Sequence, residues 1–215
     1  MDDLFPLALA FALGTAHALE ADHLAAVSAF VVSRPGARAA LAFGTRWSIG
    51  HGGAVLAVGT MLIALRVSLP TDASRFLETL AGAALVLLGL WTLFGARRLR
   101  ARRHRHSDGT LHAHLHGDQR HTHAHAVTGV GALHGLAGTA PAVALLPLTH
   151  AESALLGGGY LLFFAIGTAL AMGLYALSAG WIADRVAVRS DRFARGLVLL
   201  TGLAATAVGL AWILP

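Results

Sequence analysis

Apolar segments and short polar connections alternate along the whole chain of 215 residues. A helix needs about 20 predominantly apolar residues to cross the hydrocarbon core of a bilayer, and stretches of that length recur along the sequence. The pattern therefore predicts an all-α membrane protein with six transmembrane helices. Their expected ranges are 4–32, 39–65, 76–95, 126–149, 155–182 and 196–214.

The composition agrees with this prediction. Hydrophobic residues make up 56% of the chain and charged residues only 13%, and the mean hydropathy is +0.66. Apolar helices also occur inside large soluble proteins, but those proteins need a polar outer layer that this chain lacks. We expect a multi-pass protein of the cell membrane, in a bacterium the inner membrane. The acidic start and the long first apolar stretch argue against a cleaved signal peptide.

The arginines predict the orientation. Two lie in the first connection, seven in the third and four in the fifth, whereas the second and fourth connections and both termini carry only Arg66 and Arg75. By the positive-inside rule, the odd connections are cytoplasmic and both the N- and C-termini are outside. Nucleic-acid binding is not expected, because these arginines flank spans and lack interleaved aromatic residues.

The spans divide into two groups of three, in residues 1–95 and 126–215. The halves share a weak similarity: residues 14–19 and 131–136 both read G-x-x-H-x-L, and Ile-Gly-His at 49–51 has a fainter counterpart in Ile-Gly-Thr at 166–168. With three spans in each half, the second half enters the membrane from the opposite side. The pattern predicts a 3+3 inverted repeat, in which transport sites lie near the midplane at the junction of the halves.

Residues 96–125 form the one long connection, rich in histidine and arginine. From residue 104 it reads HRHSDGTLHAHLHGDQRHTHAHA. With few large apolar residues, it cannot bury enough surface to fold alone, so we expect a flexible cytoplasmic loop. It is either a loose chelator of ions that prefer imidazole or simply a solvated loop. The candidate chelators are His104, His106, His112, His114, His116, His121, His123 and His125.

Four ionisable residues interrupt the first span in the sequence HALEADH, residues 17–23. An ionisable group within a bilayer costs about 2.5 kcal/mol or more, so such groups normally face a bundle interior and serve a function. On an ideal helix His17, Glu20 and His23 share one face, whereas Asp22 points away from His17. Either the helix unwinds locally or Asp22 faces a different neighbour. The alternative role is that of structural histidines satisfied by neighbouring helices.

Two other spans carry ionisable residues that are candidate partners of those in the first span. The second span contains FGTRWSIGHGGAV, in which Arg46 lies at a depth similar to that of the carboxylates and is the predicted charge partner of Asp22 or Glu20. In the same stretch, His51 lies near the midplane. The fourth span adds His134 in VGALHGLAGTAPAV, either as a ligand from the second half or as a core histidine.

The histidines and carboxylates favour some metals over others, and the residues and motifs that the chain lacks argue against several functions. Imidazole nitrogen combined with carboxylate oxygen suits Ni²⁺, Co²⁺ or Zn²⁺, whereas Mg²⁺ and Ca²⁺ prefer oxygen alone. The chain contains no cysteine, which excludes disulfides, thiolate metal sites and thiol redox chemistry by its own residues. Neither H-E-x-x-H nor G-x-S-x-G occurs, so no enzyme is expected.

The motifs resemble the nickel/cobalt permease family. HALEADH, residues 17–23, matches that family's H-x4-D-H signature, and IGHGGAV, residues 49–55, is similar to its second signature. The run HGLAG, residues 134–138, is similar to a histidine segment of the shorter relatives known as urease-accessory or nickel-transport-like permeases. Two features depart from the longer permeases: Glu20 stands where the signature usually has aspartate, and the histidine-rich loop resembles the nickel/cobalt efflux branch.

The resemblance implies an integral membrane transporter of Ni²⁺ or Co²⁺ that depends on His17, Asp22, His23 and His51. With Glu20 and His134 added, these six residues are the candidate metal ligands. The metal is cargo rather than a permanently bound cofactor, and alternating access moves it. The alternative is an accessory or sensor protein that delivers metal through the loop to metalloenzyme-maturation proteins. The choice of ion, the direction of transport, the coupling ion and the oligomeric state stay open.

Overall fold

The structure is a computed structural model that describes residues 4–33, 36–96, 100–105, 111–116, 124–137 and 154–214. Seven helices and one two-stranded antiparallel sheet lie within these ranges. In chain order they are α1 (Leu4–His17), α2 (Ala21–Val32), α3 (Ala37–Leu65), α4 (Thr71–Ala96), β1 (Arg100–Arg105), β2 (Leu111–His116), α5 (Ala124–Ala137), α6 (Ala154–Arg189) and α7 (Asp191–Ile213).

The ends of α3 and α6 have different backbone conformations. Arg66 adopts a left-handed backbone with φ of 54° directly after α3. The amides of Arg66 and Val67 then donate to the carbonyls of Ile63 and Leu62, which satisfies the last turn of the helix. A single extended residue, Ser190, separates α6 from α7, with φ of −160° and ψ of 129°.

The chain forms two compact units, and each draws on both halves of the sequence. The first unit comprises Met1–Glu20, Thr45–Ala81 and Ala124–Met172, and the second comprises Ala21–Gly44, Gly82–His123 and Gly173–Pro215. The division at residues 95 and 126 that the sequence suggests stays a prediction.

In the first unit, α1 crosses α6 and α3 crosses α5 at backbone contact. Glycine permits both crossings: a Cβ at Gly14 would meet the carbonyl of Phe164, and a Cβ at Gly131 would lie 2.5 Å from the carbonyl of Trp47. Small residues let membrane helices approach this closely. The apolar core of the unit consists of Ala10, Val55, Tyr160, Leu161 and Phe164.

In the second unit, α2 packs against α7 and α4 crosses α7. Glycines again face backbone at the α4–α7 crossing, where Gly82 lies against the carbonyl of Gly209 and Gly89 against that of Gly202. A hydrogen bond of 2.6 Å joins the hydroxyls of Ser28 and Tyr175.

Four helices are long and apolar enough to cross a membrane: Ala37–Leu65, Thr71–Ala96, Leu155–Arg189 and Asp191–Ile213. The pair α1 and α2 passes the same test together, which gives up to five spans among the described residues. Large apolar side chains such as Leu87, Leu174 and Phe193 are exposed on these helices. An exposed apolar surface of this kind fits contact with lipid.

One of the expected spans differs in the structure, and another is described only in part. The first expected span, 4–32, is two helices rather than one, because the helix ends at His17 and restarts at Ala21. The fourth, 126–149, is described only as α5, and residues 138–149 lie outside the described ranges. The predicted six spans, the inverted repeat and the outside termini therefore stay predictions.

The histidine-rich connection, predicted to be a flexible loop, contains two strands that form a hairpin, and its flexibility stays a prediction. Its strands pair Arg100 with His116, Arg102 with His114 and His104 with His112. Period-two alternation in LHAHLH, residues 111–116, is the pattern of a strand, and it is the signal that points to this element. Predicted chelators His106, His121 and His123 lie outside the described residues.

Candidate metal centre

The break between α1 and α2 shapes the centre. The amide of Ala18 still donates to Gly14 in the α-helical manner, but those of Leu19 and Glu20 donate to the carbonyls of Ala16 and His17, three residues back. The helix tightens in this way before it ends, and α2 leaves at an angle of 57° to α1. Of the two alternatives for HALEADH, the chain adopts the local break.

The break brings ionisable groups together. Among the described residues, one ring nitrogen each of His17, His23 and His51 lie within 4.8 Å of one another. We call these three residues the histidine group. A second set, with one ligand atom each from Glu20, Asp22 and His23, meets the same limit. Three donors at this mutual spacing can coordinate a single ion.

The histidine group is shielded from the surroundings. His17 is 7% exposed, and His23 and His51 are each 1% exposed. Buried polar groups of this kind are expensive unless they are hydrogen-bonded or bind an ion. Imidazole nitrogens are ligands for Ni²⁺, Co²⁺, Cu²⁺ and Zn²⁺, so the set is suited to a transition metal.

Each carboxylate contacts a histidine of the group. Glu20 Oε1 lies 3.1 Å from His17 Nδ1, and Asp22 Oδ2 lies 2.9 Å from His23 Nδ1. The contact of Asp22 with His23 is a close approach of charge rather than a hydrogen bond. The negative charge of a carboxylate beside each ring favours a cation bound there. The Glu20 side chain is 55% exposed, whereas that of Asp22 is 4% exposed.

Aromatic packing holds His17 in place. Its ring lies 5.5 Å from the His51 ring and 5.4 Å from the Phe164 ring, measured between centroids. Beside them the Thr168 hydroxyl lies 3.0 Å from the carbonyls of both Gly14 and Phe164, so it can link α6 to α1 one turn before His17. The sequence analysis did not identify Phe164 or Thr168, and only Thr168 carries a signal, as the counterpart of His51 in the internal similarity.

His134 is buried but belongs to neither group of candidate ligands among the described residues. Its ring packs on Trp47, with centroids 4.9 Å apart, and its Nδ1 lies 3.0 Å from the carbonyl of Val130. Its helix lies very close to α3, since a Cβ at Gly135 would meet the carbonyl of His51. Trp47 was also missed by the sequence analysis.

Two of the remaining predicted residues, Arg46 and His125, have exposed side chains. Arg46 has an exposed side chain, whereas Asp22 is buried against His23. The pairing of Arg46 with a carboxylate stays a prediction. His125 is exposed at the start of α5.

Two comparisons relate the chain to known proteins. Residues 48–204 match the family described as the cytochrome c biogenesis protein transmembrane region. The chain is 34% identical over 214 residues to the urease accessory protein UreH of Bacillus sp. (strain TB-90), covering 98% of this chain and 91% of that protein.

A more distant relative is the chloroplast protein FOR GROWTH AND FERTILITY 2 of Arabidopsis thaliana. The identity is 26% over 209 residues, which cover 94% of this chain and 54% of that protein. No solved structure matches the chain. The chain is therefore a multi-pass membrane protein that belongs to the cytochrome c biogenesis protein transmembrane region family and is a homologue of the urease accessory protein UreH.

Proposed function

We propose that this protein transports a divalent transition metal ion, Ni²⁺ or Co²⁺, across the membrane, with the histidine group as the intramembrane binding site. The observation that carries the proposal is the placement of three buried imidazole nitrogens within 4.8 Å of one another. Ionisable groups inside membrane helices are expensive and normally mark ion pathways. The likeness of residues 17–23 and 49–55 to the nickel/cobalt permease signatures supports the same function.

The carboxylates have a separate part in this proposal. Asp22 and Glu20 bring a carboxylate oxygen to Nδ1 of His23 and His17, so they help to position the two rings beside the ion. Their negative charge offsets the charge of a divalent ion in a medium of low dielectric constant. Glu20 is the more exposed of the two carboxylates, so it is the group that an entering or leaving ion meets first.

Movement of the ion requires access from each side in turn. In transporters built from repeats, the halves rock around a site formed by broken helices near the midplane. The break after His17 is such a feature, since α1 and α2 together have the composition of one span. We therefore place the proposed site at a discontinuous first span, in an architecture of six spans and two inverted halves.

The name of the UreH homologue favours a second candidate function. An accessory protein would collect metal on the histidine-rich connection and pass it to a metalloenzyme-maturation partner without transporting it. Thiol chemistry is not an option for this chain, because it contains no cysteine.

Metal flux into vesicles tests the proposal. The full chain is reconstituted in lipid vesicles and Ni²⁺ entry is followed with an internal metal indicator. The wild type should carry Ni²⁺, and His51→Ala should reduce the flux to that of empty vesicles because it removes one ligand of the histidine group. The matched control is His125→Ala, an exposed histidine outside the group, which should keep the wild-type flux.

Replacement of residues 104–123 by a glycine-serine linker separates the two candidates. A transporter keeps its flux without these histidines, whereas a protein that works through the loop does not. Wild-type flux in His51→Ala, or no flux in the wild type, contradicts the transport proposal.

A further inference from the structure

The two helix crossings of the first unit have the same construction. In one, Gly14 of α1 lies against the carbonyl of Phe164 in α6; in the other, Gly131 of α5 lies against the carbonyl of Trp47 in α3. Each residue of one crossing is 117 positions from its counterpart in the other (131 − 14 and 164 − 47). The two contacts are therefore equivalent, but the helix that supplies the glycine belongs to the first half of the chain in one crossing and to the second half in the other.

Each crossing also has a contact in which the other helix supplies the glycine, and these contacts show the same offset. Gly167 of α6 lies against the carbonyl of Phe11 in α1, and Gly50 of α3 lies against the carbonyl of Thr128 in α5. The counterparts are again 117 positions apart (167 − 50 and 128 − 11). Four backbone contacts that obey one offset define corresponding positions in the two crossings.

His134 occupies in the second crossing the position that His17 occupies in the first. His17 packs on Phe164 with ring centroids 5.4 Å apart, and His134 packs on Trp47 with centroids 4.9 Å apart. The offset is the same (134 − 17). The counterpart of a histidine-group residue is therefore a second buried imidazole on the equivalent aromatic support.

The protonation of His134 suits it to bind metal. Its Nδ1 lies 3.0 Å from the carbonyl of Val130, and a carbonyl can only accept, so Nδ1 carries the hydrogen. The lone pair of the neutral ring is then on Nε2. The side chain is 1% exposed, so an ion bound there is removed from water.

Helix α3 joins this position to the histidine group. Trp47, which contacts His134, and His51, which contacts His17, are four residues apart and so lie on consecutive turns of one face. Gly135, next to His134, faces the carbonyl of His51. The two imidazole positions therefore follow each other along α3.

The second position has a poorer set of donors than the first. At the place that corresponds to His51 (168 − 51 is again 117), α6 carries Thr168, whose hydroxyl is directed to backbone carbonyls. A neutral hydroxyl is a weaker ligand for a transition metal than imidazole. An ion at His134 should therefore be held less tightly than one at the histidine group.

We propose that His134 is a second, weaker metal-binding station next to the histidine group, which the ion occupies in turn during its passage. The station rests on the proposed function, since it accepts the same divalent ion. Loss of this station should not change the tight binding of the ion at the histidine group. The station is needed for the ion to reach or leave that group.

Trp47 provides a local readout of metal at this station. In the full-length protein, Trp91, Trp181 and Trp212 are replaced by Phe, which leaves Trp47 as the one remaining tryptophan of four. Bound Ni²⁺ quenches nearby indole fluorescence, so a Ni²⁺ titration in detergent should show a tight and a weak phase. His134→Gln should lose the weak phase and keep the tight one. The control His125→Gln, on the same helix, should keep both phases.

A second variant protects the test against misfolding. His134→Phe keeps an aromatic ring against Trp47 but has no ligand nitrogen, and it should give the same result as His134→Gln in a protein that elutes as a single species. A weak phase that persists in these variants, or a tight phase that disappears with it, overturns the proposal. A single phase in the tryptophan background overturns it as well.

His51→Ala in the same background separates the two proposals. It should lose the tight phase if the histidine group is the transport site. If that phase persists, the proposed function has failed, whereas persistence of the weak phase in His134→Gln refutes only the second station.

Discussion

Asp22 and Glu20 are distinguished from the histidines by what their oxygens contact. Sequence reasoning treats all four residues of HALEADH as candidate ligands. The structure places a carboxylate oxygen 2.9 Å from His23 Nδ1 and another 3.1 Å from His17 Nδ1. Each carboxylate therefore lies against a ring, and we expect it to act through that ring rather than as a ligand of the histidine group.

Asp22→Asn tests this distinction. The variant keeps the size of the side chain and removes its charge, so Ni²⁺ affinity should fall by about 10–100-fold, the usual effect of losing a partner of a metal-bound histidine. Equilibrium dialysis of the purified protein should show an unchanged number of sites. His23→Ala is the comparison variant, and it should remove the site.

Loss of the site in Asp22→Asn, equal to that in His23→Ala, would mean that Asp22 is itself a ligand. An affinity equal to that of the wild type would mean that its contact with His23 has no effect on the ring.

The identities of these residues could be predicted, but their arrangement could not. Ionisable groups in an apolar segment are visible in any reading of the sequence, because they are costly there. An ideal helix directs Asp22 away from His17, and no local pattern indicates that Leu19 and Glu20 bond three residues back. Thr168, far along the chain, contacts the carbonyl of Gly14 just before the break.

Among the helices, the crossing of α3 and α5 is the element on which His51 and His134 depend. It is held at backbone contact by Gly131, where a Cβ would lie 2.5 Å from the carbonyl of Trp47. The carbonyl belongs to a rigid helix and cannot move aside as a flexible side chain would. The contact therefore tolerates no larger residue.

Gly131→Ala should lower the free energy of unfolding by about 1–3 kcal/mol, the cost of overpacking a close contact. The matched control is Gly129→Ala on the same helix, where a Cβ would meet nothing within 4 Å. Alanine has the higher helix propensity, so the control should be stabilised by up to about 1 kcal/mol. Thermal unfolding in detergent measures both, and equal stabilities would contradict the crossing.

Apolar length predicts helices better than it predicts their interruptions. Spans 39–65, 76–95, 155–182 and 196–214 each fall on a helix with the length and composition of a membrane span. For the first span, apolar length predicts one continuous helix, because α1 and α2 are both apolar and have no proline between them, and only the ionisable residues of HALEADH raise the alternative of a local break. In the hairpin, alternation along LHAHLH carries the strand signal, but the polar composition of the segment favoured a loop.

At the scale of the whole molecule, composition predicts the class of protein and topology decides the site. A hydrophobic content of 56% with 13% charge already indicates a membrane protein. The first compact unit, however, joins residues of both halves of the chain, as in the contact of Gly14 with Phe164. Contacts at such sequence separations leave only the faint G-x-x-H-x-L similarity as a trace in the sequence.

The coordination of Ni²⁺ in the purified protein tests the central claim most directly. In a variant with residues 104–123 replaced by a glycine-serine linker, X-ray absorption at the nickel edge should show three imidazole ligands at one tightly bound ion per chain. His51→Ala should reduce the number of imidazoles to two. No bound nickel, or a ligand set that is the same in His51→Ala, would contradict a metal site formed by His17, His23 and His51.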